Sequence, residues 1–266
     1  MSETEKRKTS GDHNDTSTKK QRNHVAEAGG EDDSEMAEAI PITKSNIDAQ
    51  INHEDAIKYW SAQPASDTGV LGGYPEVSRV DLQGSANFLA KLRRSSKHYP
   101  PSAGKLPRVA DTGAGIGRVT KGFLQHAAQT VDIVEPVELF TRELHGEASV
   151  GTIYNVGLEQ WTPETKYDVI WNQWCCGQIR DTQLVAYLKR ITPFVNAGGW
   201  IVVKENLSNN HLGEDVFDET DSSVTRTDTH FRELFEQAGL KLVSTELQKG
   251  FPKALYPVRS YALQPK

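Results

Sequence analysis

From Arg108 onward the chain alternates short apolar runs with segments whose apolar positions recur at helical spacing. The apolar runs predict strands over 108–112, 130–134, 152–156, 167–171, 200–204, 241–246 and 258–262. Helices are predicted between them, over 117–126, 137–147, 182–191 and 228–238, the last stopped by Gly239. Alternation of this kind builds a parallel sheet with helices on both faces. The last two strands are joined by a loop without a helix, which predicts a closing hairpin and one antiparallel strand. The expected fold is therefore an α/β, Rossmann-like sheet of seven strands with an N-terminal helical extension.

That extension occupies 46–106, ahead of a core spanning 107–266. Asp48 through Trp60 suits a helix, with Ile51, Ala56, Ile57, Tyr59 and Trp60 at its apolar positions. A glycine-rich turn from Gly69 to Tyr74 follows and carries Leu71 and Tyr74. It reads either as a linker or as a flap over a site, and it lacks the Gly-Lys-Ser/Thr of a phosphate loop. A second helix is expected over 85–94, burying Phe88, Leu89 and Leu92. Pro100, Pro101 and Pro107 then punctuate the approach to the first strand.

Residues 1–45 show neither period. They are polar, charged and almost free of aromatics, the composition of a disordered tail. Two basic clusters there, Lys6-Arg7-Lys8 and Lys19-Lys20-Gln21-Arg22, are separated by ten polar residues. The spacing resembles a bipartite nuclear import signal; a solvated charged tail is the alternative. The tail also explains why only 36% of the 266 residues are apolar. No run approaches the roughly 18 apolar residues of a membrane span, and no signal-peptide core opens the chain. The two cysteines, Cys175 and Cys176, are adjacent and suggest neither a disulfide framework nor a metal site. A cytoplasmic and nuclear location is expected. The net charge of −6 argues against generic nucleic-acid binding and suits a cationic substrate better.

The candidate chemistry centres on Val109-Ala-Asp-Thr-Gly-Ala-Gly-Ile-Gly-Arg-Val-Thr120, a strand, a tight turn and the start of a helix. Glycine admits φ > 0 and lets backbone approach a ligand closely, and the helix start presents unpaired N–H groups. About 20 residues on, the second strand ends in Glu135, placed to accept from both hydroxyls of a ribose. Dinucleotide sites favour G-x-G-x-x-G. Here the third glycine comes one position early and Asp111 precedes the turn. That pattern resembles motif I of S-adenosylmethionine (SAM)-dependent methyltransferases, whose sheet is the variant with one antiparallel strand. Arg118 is then placed to pair with the SAM carboxylate.

The other loops at the carboxyl edge fit this picture. After the third strand, Leu158 would pack on the adenine and Glu159 would face it. After the fourth comes Trp171-Asn-Gln-Trp174, without the Asn/Asp-Pro-Pro-Tyr/Phe motif of nucleic-acid adenine methyltransferases. Trp171 is expected in the core, and Trp174 in the site, where an indole face attracts cations. After the fifth come Lys204-Glu-Asn206 and an acidic loop from Glu214 to Ser223 that leads to Arg226. Such a run is usually solvated, but this loop is long enough to form a lid or a wall.

Taken together, Tyr59-Trp60, Leu71-Gly-Gly-Tyr74, Asp111 to Arg118, Asp168 to Trp174, Lys204-Glu-Asn206 and Asp221-Ser-Ser-Val224 resemble the protein N-terminal methyltransferase family. That family methylates the α-amine of proteins beginning Xaa-Pro-Lys, ribosomal proteins among them. The resemblance covers roughly 57–263. It implies SAM as cofactor, with S-adenosylhomocysteine as product, held by Gly113, Gly115, Arg118, Glu135, Pro136, Leu158, Glu159 and Gln173. It implies substrate contacts from Tyr59, Trp60, Leu71, Tyr74, Trp174, Asn206, Asp218, Asp221 and Ser223, with Asp221 as general base and Asn206 binding the first carbonyl. It further implies protein substrates, no nucleic-acid or membrane partner, and a monomer. One departure stands out. Where the family often has a histidine, this chain has Gln178, which hydrogen-bonds but takes no proton. A methyltransferase of small-molecule amines and a non-catalytic SAM-binding scaffold are the alternatives.

Overall fold

A computed structural model describes residues 47–266. The tail 1–45 with its basic clusters, expected to be disordered and to direct nuclear import, lies outside the described residues. In chain order the main strands are β1 (Leu106–Thr112), β2 (Ala128–Val134), β3 (Val150–Tyr154), β4 (Tyr167–Gln173) and β5 (Val195–Asn206). The short β6 (Val216–Asp218) and β7 (Ser223–Thr225) follow, then β8 (Leu240–Leu247) and β9 (Val258–Pro265). The helices are α1 (His53–Ser61), α2 (Asp67–Val70), α3 (Ser78–Arg94), α4 (Gln125–Ala127), α5 (Glu138–Thr141), α6 (Asp181–Ile191) and α7 (Asp228–Gln237).

Seven strands form one sheet in the order β3-β2-β1-β4-β5-β9-β8. β9 runs antiparallel to both neighbours and the remaining pairs are parallel. This is the expected sheet. β4 is buried at every position because it is central and covered on both faces. Its side chains alternate between two core layers. Val169 and Trp171 join Val109, Val131 and Val202 beneath α3 and the segment after β1, which contributes Phe123 and Leu124. Ile170 joins Ile201 and Val203 beneath α6 and α7, which contribute Leu184, Leu188, Phe231 and Leu234. Trp171 is wholly buried, edge-on to Phe123 at 5.0 Å between ring centres.

The order reverses between β1 and β4, and the crevice at their carboxyl ends is where such sheets bind ligands. The loops that follow β1, β2, β3, β4 and β5 all leave the sheet at that edge.

Several elements differ from expectation for local reasons. α3 begins seven residues earlier than the predicted Ser85, at Ser78. Its first turns carry Asp81 and Ser85 at inward positions, and polar residues on a buried face carry no hydrophobic period. The predicted helix from Asp48 breaks at Asn52, whose side chain accepts from Glu54 N (3.0 Å) and caps α1. The helix expected over 137–147 is only α5 and a 3-10 turn, Arg142–Leu144, ahead of Gly146 at φ 87°. After the glycine turn the helix contains a π turn, Thr120–Leu124. The acidic loop is in part a hairpin, with Asp218 opposite Ser223 in β6–β7.

Candidate active site

β1 delivers the chain into a turn with three glycines in the left-handed region, Gly113 (φ 65°), Gly115 (φ 55°) and Gly117 (φ 76°). The N–H groups of Gly113 and Ala114 donate to Val134 O, at 2.8 and 3.2 Å, and tie the turn to the end of β2. A Cβ at Gly113 would lie 2.3 Å from Cys175 Cβ, so only glycine lets the turn after β4 pack this closely. At Gly115 the same atom would meet only Val70, at 3.6 Å, leaving room on the crevice side.

Glu135 ends β2 nearly buried, 6% exposed. Its two oxygens accept from Gly115 N (2.8 Å) and Val137 N (2.9 Å). Burial pushes its pKa up to about 7, against the pull of those two donors. Each oxygen keeps a second lone pair, so the expected acceptor for a ribose diol is present. Pro136 follows it, half-buried.

Arg118 donates from Nη2 to Asp81 at 2.8 Å and lies 5.2 Å from the centre of the Trp174 ring. Among the described residues its only other side-chain acceptor is Ser78 Oγ, at 3.5 Å. Donors therefore remain for a cofactor carboxylate. A cavity of about 490 Å³ lined by Ser78, Leu82, Ile116, Leu139 and Phe140 reaches this guanidinium. A diol acceptor, an open glycine and an incompletely used guanidinium together fit a nucleoside bearing an amino-acid carboxylate.

Asp81 is the hub that the sequence did not disclose. Fully buried, it holds Lys204 Nζ at 2.5 Å as well as Arg118. Lys204 also donates to Ser85 Oγ and Gln248 Oε1, each at 2.9 Å. Burial lowers the Lys204 pKa, opposed by the Asp81 charge. Gln173 differs from its expected role. Its amide nitrogen donates to both Asp81 oxygens (3.0 and 2.8 Å) and its oxygen accepts from Trp171 Nε1 (3.0 Å). It is a strut between core and hub rather than an open cofactor ligand. Leu158 is packed into the core at 6% exposure, and the Glu159 carboxylate folds back over Gly157.

The turn after β4 carries the substrate side. Trp174 adopts φ 55° and its N–H donates to Lys204 O at 3.1 Å. The next two amides, of Cys175 and Cys176, both donate to Glu205 Oε1 at 2.8 Å. Burial raises the Glu205 pKa to about 7 despite these donors. Glu205, which the sequence motif includes without a role, thus fixes the turn that presents Trp174. The Trp174 Nε1 is buried and has no partner among the described residues.

With the Gln178 amide oriented to satisfy its neighbours, its nitrogen donates to Asp221 O (3.1 Å) and its oxygen accepts from Trp60 Nε1 (3.3 Å). Asp221 is 4% exposed and accepts from Ser223 Oγ at 2.6 Å. Trp60 packs edge-on to Tyr59, with ring centres 5.1 Å apart. Beside Asp221, Ser222 (φ 55°) accepts from the Asn52 N–H at 2.8 Å and anchors the start of α1 to the hairpin. Three expected substrate residues, Trp60, Asp221 and Ser223, are therefore joined by hydrogen bonds to one another through Gln178 and the hairpin. Asp218 lies on the same hairpin, one oxygen accepting from Thr220 N at 2.9 Å. Asn206 closes β5, half-buried, and takes part in no side-chain hydrogen bond among the described residues. Leu71 and Tyr74 lie on another segment, with backbone bonds to Asp67 and to each other. They flank the Gly72–Gly73 turn after α2, whose Val70 lies against the glycine turn on the cofactor side.

Comparison with known proteins identifies the family and the fold. Residues 48–264 match the family model described as AdoMet dependent proline di-methyltransferase. The chain is 41% identical over 226 residues to alpha N-terminal protein methyltransferase 1 of Schizosaccharomyces pombe, covering 82% of this chain and 99% of that protein. It is 38% identical over 215 residues to N-terminal Xaa-Pro-Lys N-methyltransferase 1 of Xenopus tropicalis, covering 79% and 93%. A solved SAM-dependent methyltransferase from Leishmania major superposes with a TM-score of 0.71 at 35% identity, over 80% of this chain and 82% of that one. The mitomycin 7-O-methyltransferase MmcR, at 18% identity and a TM-score of 0.54, shares the fold.

Proposed function

The chain belongs to the AdoMet-dependent proline di-methyltransferase family, and from that premise we propose that it methylates protein N-termini beginning Xaa-Pro-Lys. It is a SAM-dependent methyltransferase of protein N-terminal α-amines. The narrower sequence preference, ribosomal proteins among the substrates and action as a monomer are our reading. So is the absence of a nucleic-acid partner, in line with the net charge of −6. The observation that carries the reading is the hydrogen-bonded set Trp60–Gln178–Asp221–Ser223 beside Trp174.

Gly115, Glu135 and Arg118 would hold the cofactor, which when bound supplies an electrophilic methyl on a sulfonium. What the chain must do is present an uncharged amine. A free α-amine has a pKa near 8, so removing its proton at pH 7 costs about 1.4 kcal/mol; a lysine amine would cost roughly 4.6 kcal/mol. Modest help therefore suffices for a chain terminus, and alignment becomes the larger task. Asp221, oriented by Ser223, takes the proton. Gln178 takes none and instead ties the Asp221 backbone to the Trp60 indole. The Asn206 amide binds the first carbonyl, the faces of Trp60 and Trp174 wall a proline ring, and Asp218 meets a lysine at position three.

A peptide beginning Ser-Pro-Lys is expected to react about ten- to a hundredfold faster in kcat/KM than one beginning Ser-Gln-Lys, the range a shaped apolar pocket supplies. Equal rates would exclude proline reading and return small amines to consideration.

Glu135 adds a pH dependence to cofactor binding. Ribose hydroxyls donate to the ionised carboxylate and favour it, and burial is already nearly complete, so covering it adds little cost. Binding therefore lowers a pKa that stands at about 7 in the free protein and releases a proton near that pH. Affinity for S-adenosylhomocysteine should rise as pH increases through about 7 and then level off. Calorimetry in two buffers of different ionisation enthalpy measures this; a Glu135→Gln variant should show a flat profile.

A further inference from the structure

The substrate set depends on two segments that enter the site separately. One is the turn Trp174–Gln178 after β4; the other is the β6–β7 hairpin after β5. Between Gln178 and Asp221 there is one amide contact, and a Cβ at Gly177 would already be 3.0 Å from Val224 O. The segments are close, and one long side chain at the end of the hairpin reaches the turn.

That side chain is Arg226, the residue after β7, and it is wholly buried. Its Nη1 donates to Cys176 O (2.8 Å), its Nη2 to Ile179 O (2.6 Å) and its Nε to Asp181 Oδ1 (2.8 Å). The acceptors flank Gln178 on both sides. Asp181 in turn meets His230 Nε2 at 3.2 Å, and His230 Nδ1 meets Asp215. Asp215 also accepts from Thr227 N at 2.8 Å, which closes the segment that carries the hairpin back onto α7. Hydrogen bonds to Asp181 and Asp215 hold the His230 pKa up at about 10, so two cations face two carboxylates at neutral pH. A balanced network of this kind, in which Arg226 is wholly covered and its partners are half-buried, adds little net stability but specifies one arrangement.

We propose that Arg226 is a positioning residue that holds the Gln178 turn in register with the hairpin bearing Asp221, with Asp181, His230 and Asp215 as its support. Lysine keeps the charge at this position but has no planar fork to reach two carbonyls and a carboxylate at once. A displacement of about 1 Å at a reacting group costs on the order of a hundredfold. The proposal rests on the reading of Asp221 as base, and its test separates the two.

The test uses the full chain with a saturating Ser-Pro-Lys peptide and compares Arg226→Lys, Asp221→Asn and the double variant. Arg226→Lys should lower kcat by about ten- to a hundredfold. Its affinity for S-adenosylhomocysteine should stay within about threefold of the parent, because Arg226 bonds the 176–181 end of the turn, whereas Glu135 and Arg118 are held by Gly115, Val137 and Asp81. If Arg226 acts through Asp221, the double variant is no more than about twofold slower than Asp221→Asn alone; independent structural damage would instead multiply. Hydrogen exchange of the 176–179 amides should quicken in Arg226→Lys. Multiplying effects, or a parental kcat in Arg226→Lys, overturn the proposal. Full turnover in Asp221→Asn overturns the base assignment instead, and the clamp is then judged by the Arg226→Lys kcat together with amide exchange. Should Arg226→Lys fail to fold, Asp181→Ala removes the side-chain acceptor of Arg226 Nε, leaves both carbonyl bonds, and should lower kcat by about threefold or more, a fraction of the roughly hundredfold cost of a 1 Å displacement; no change there counts against the proposal.

Discussion

Asp221→Asn is expected to slow methyl transfer about a hundredfold at pH 7 while leaving S-adenosylhomocysteine affinity nearly intact. Two contributions of similar size make up that figure. Losing the base returns the cost of deprotonating the α-amine to solution, about 1.4 kcal/mol or a factor of about ten at pH 7. A second factor of about ten is assigned to orientation, within the 10²–10⁴ range of a positioned acid–base group taken as a whole. Asparagine can still accept from Ser223, which donates to Asp221 at 2.6 Å, so the hairpin itself should hold. The two contributions separate with pH. The first disappears once the amine is neutral in bulk, so the deficit should shrink to about tenfold near pH 9.5, well above the amine pKa. Gln178 cannot replace the lost base. Single-turnover rates across pH 6.5–9.5 provide the measurement; a variant that keeps more than a third of parental turnover at pH 7 would remove Asp221 from the role.

The other large effect is on stability. Asp81→Asn is expected to cost about 3–5 kcal/mol, the usual result of leaving a buried charge without its partner. Here two cations are left. Lys204 and Asp81 are both at 0% side-chain exposure and Arg118 is at 7%. Because Arg118 rests on Asp81, cofactor affinity should fall with stability, by roughly tenfold for one weakened charge-assisted hydrogen bond. Adding Lys204→Met should recover part of the stability, since removing both members of a buried pair is far less costly than removing one. Urea unfolding of the two variants checks this, and a loss below about 1 kcal/mol for Asp81→Asn would show that solvent reaches the cluster.

Both effects turn on residues whose importance differed in visibility. Asp221 stands in a motif, Asp-Ser-Ser-Val, and the resemblance singled it out; its burial within an acidic run did not follow from composition. Asp81 left no trace, because a carboxylate in the first turns of a helix reads as a solvated N-terminal charge. Ser85 beside it hid two helical turns from a search for apolar period. Gln173 was visible as a site residue, yet its amide is consumed by Asp81, a partner 92 positions away. Arg226 was visible only as the end of the acidic loop, and the acceptors that give it meaning lie 45–50 positions upstream.

What the chain determined by itself was local. Only glycine takes φ > 0 without strain, so Gly113, Gly115 and Gly117 announced the turn, and β-period apolar runs announced the sheet and the carboxyl edge that Glu135 occupies. Tertiary structure decided everything that depends on burying charge. Lys204 meets Asp81 across 123 positions and Arg226 meets Asp181 across 45. A charged side chain looks the same in a sequence whether it faces water or a partner, and burial is tolerable only once the partner is in place. That partner is supplied by the folded chain and by no local pattern.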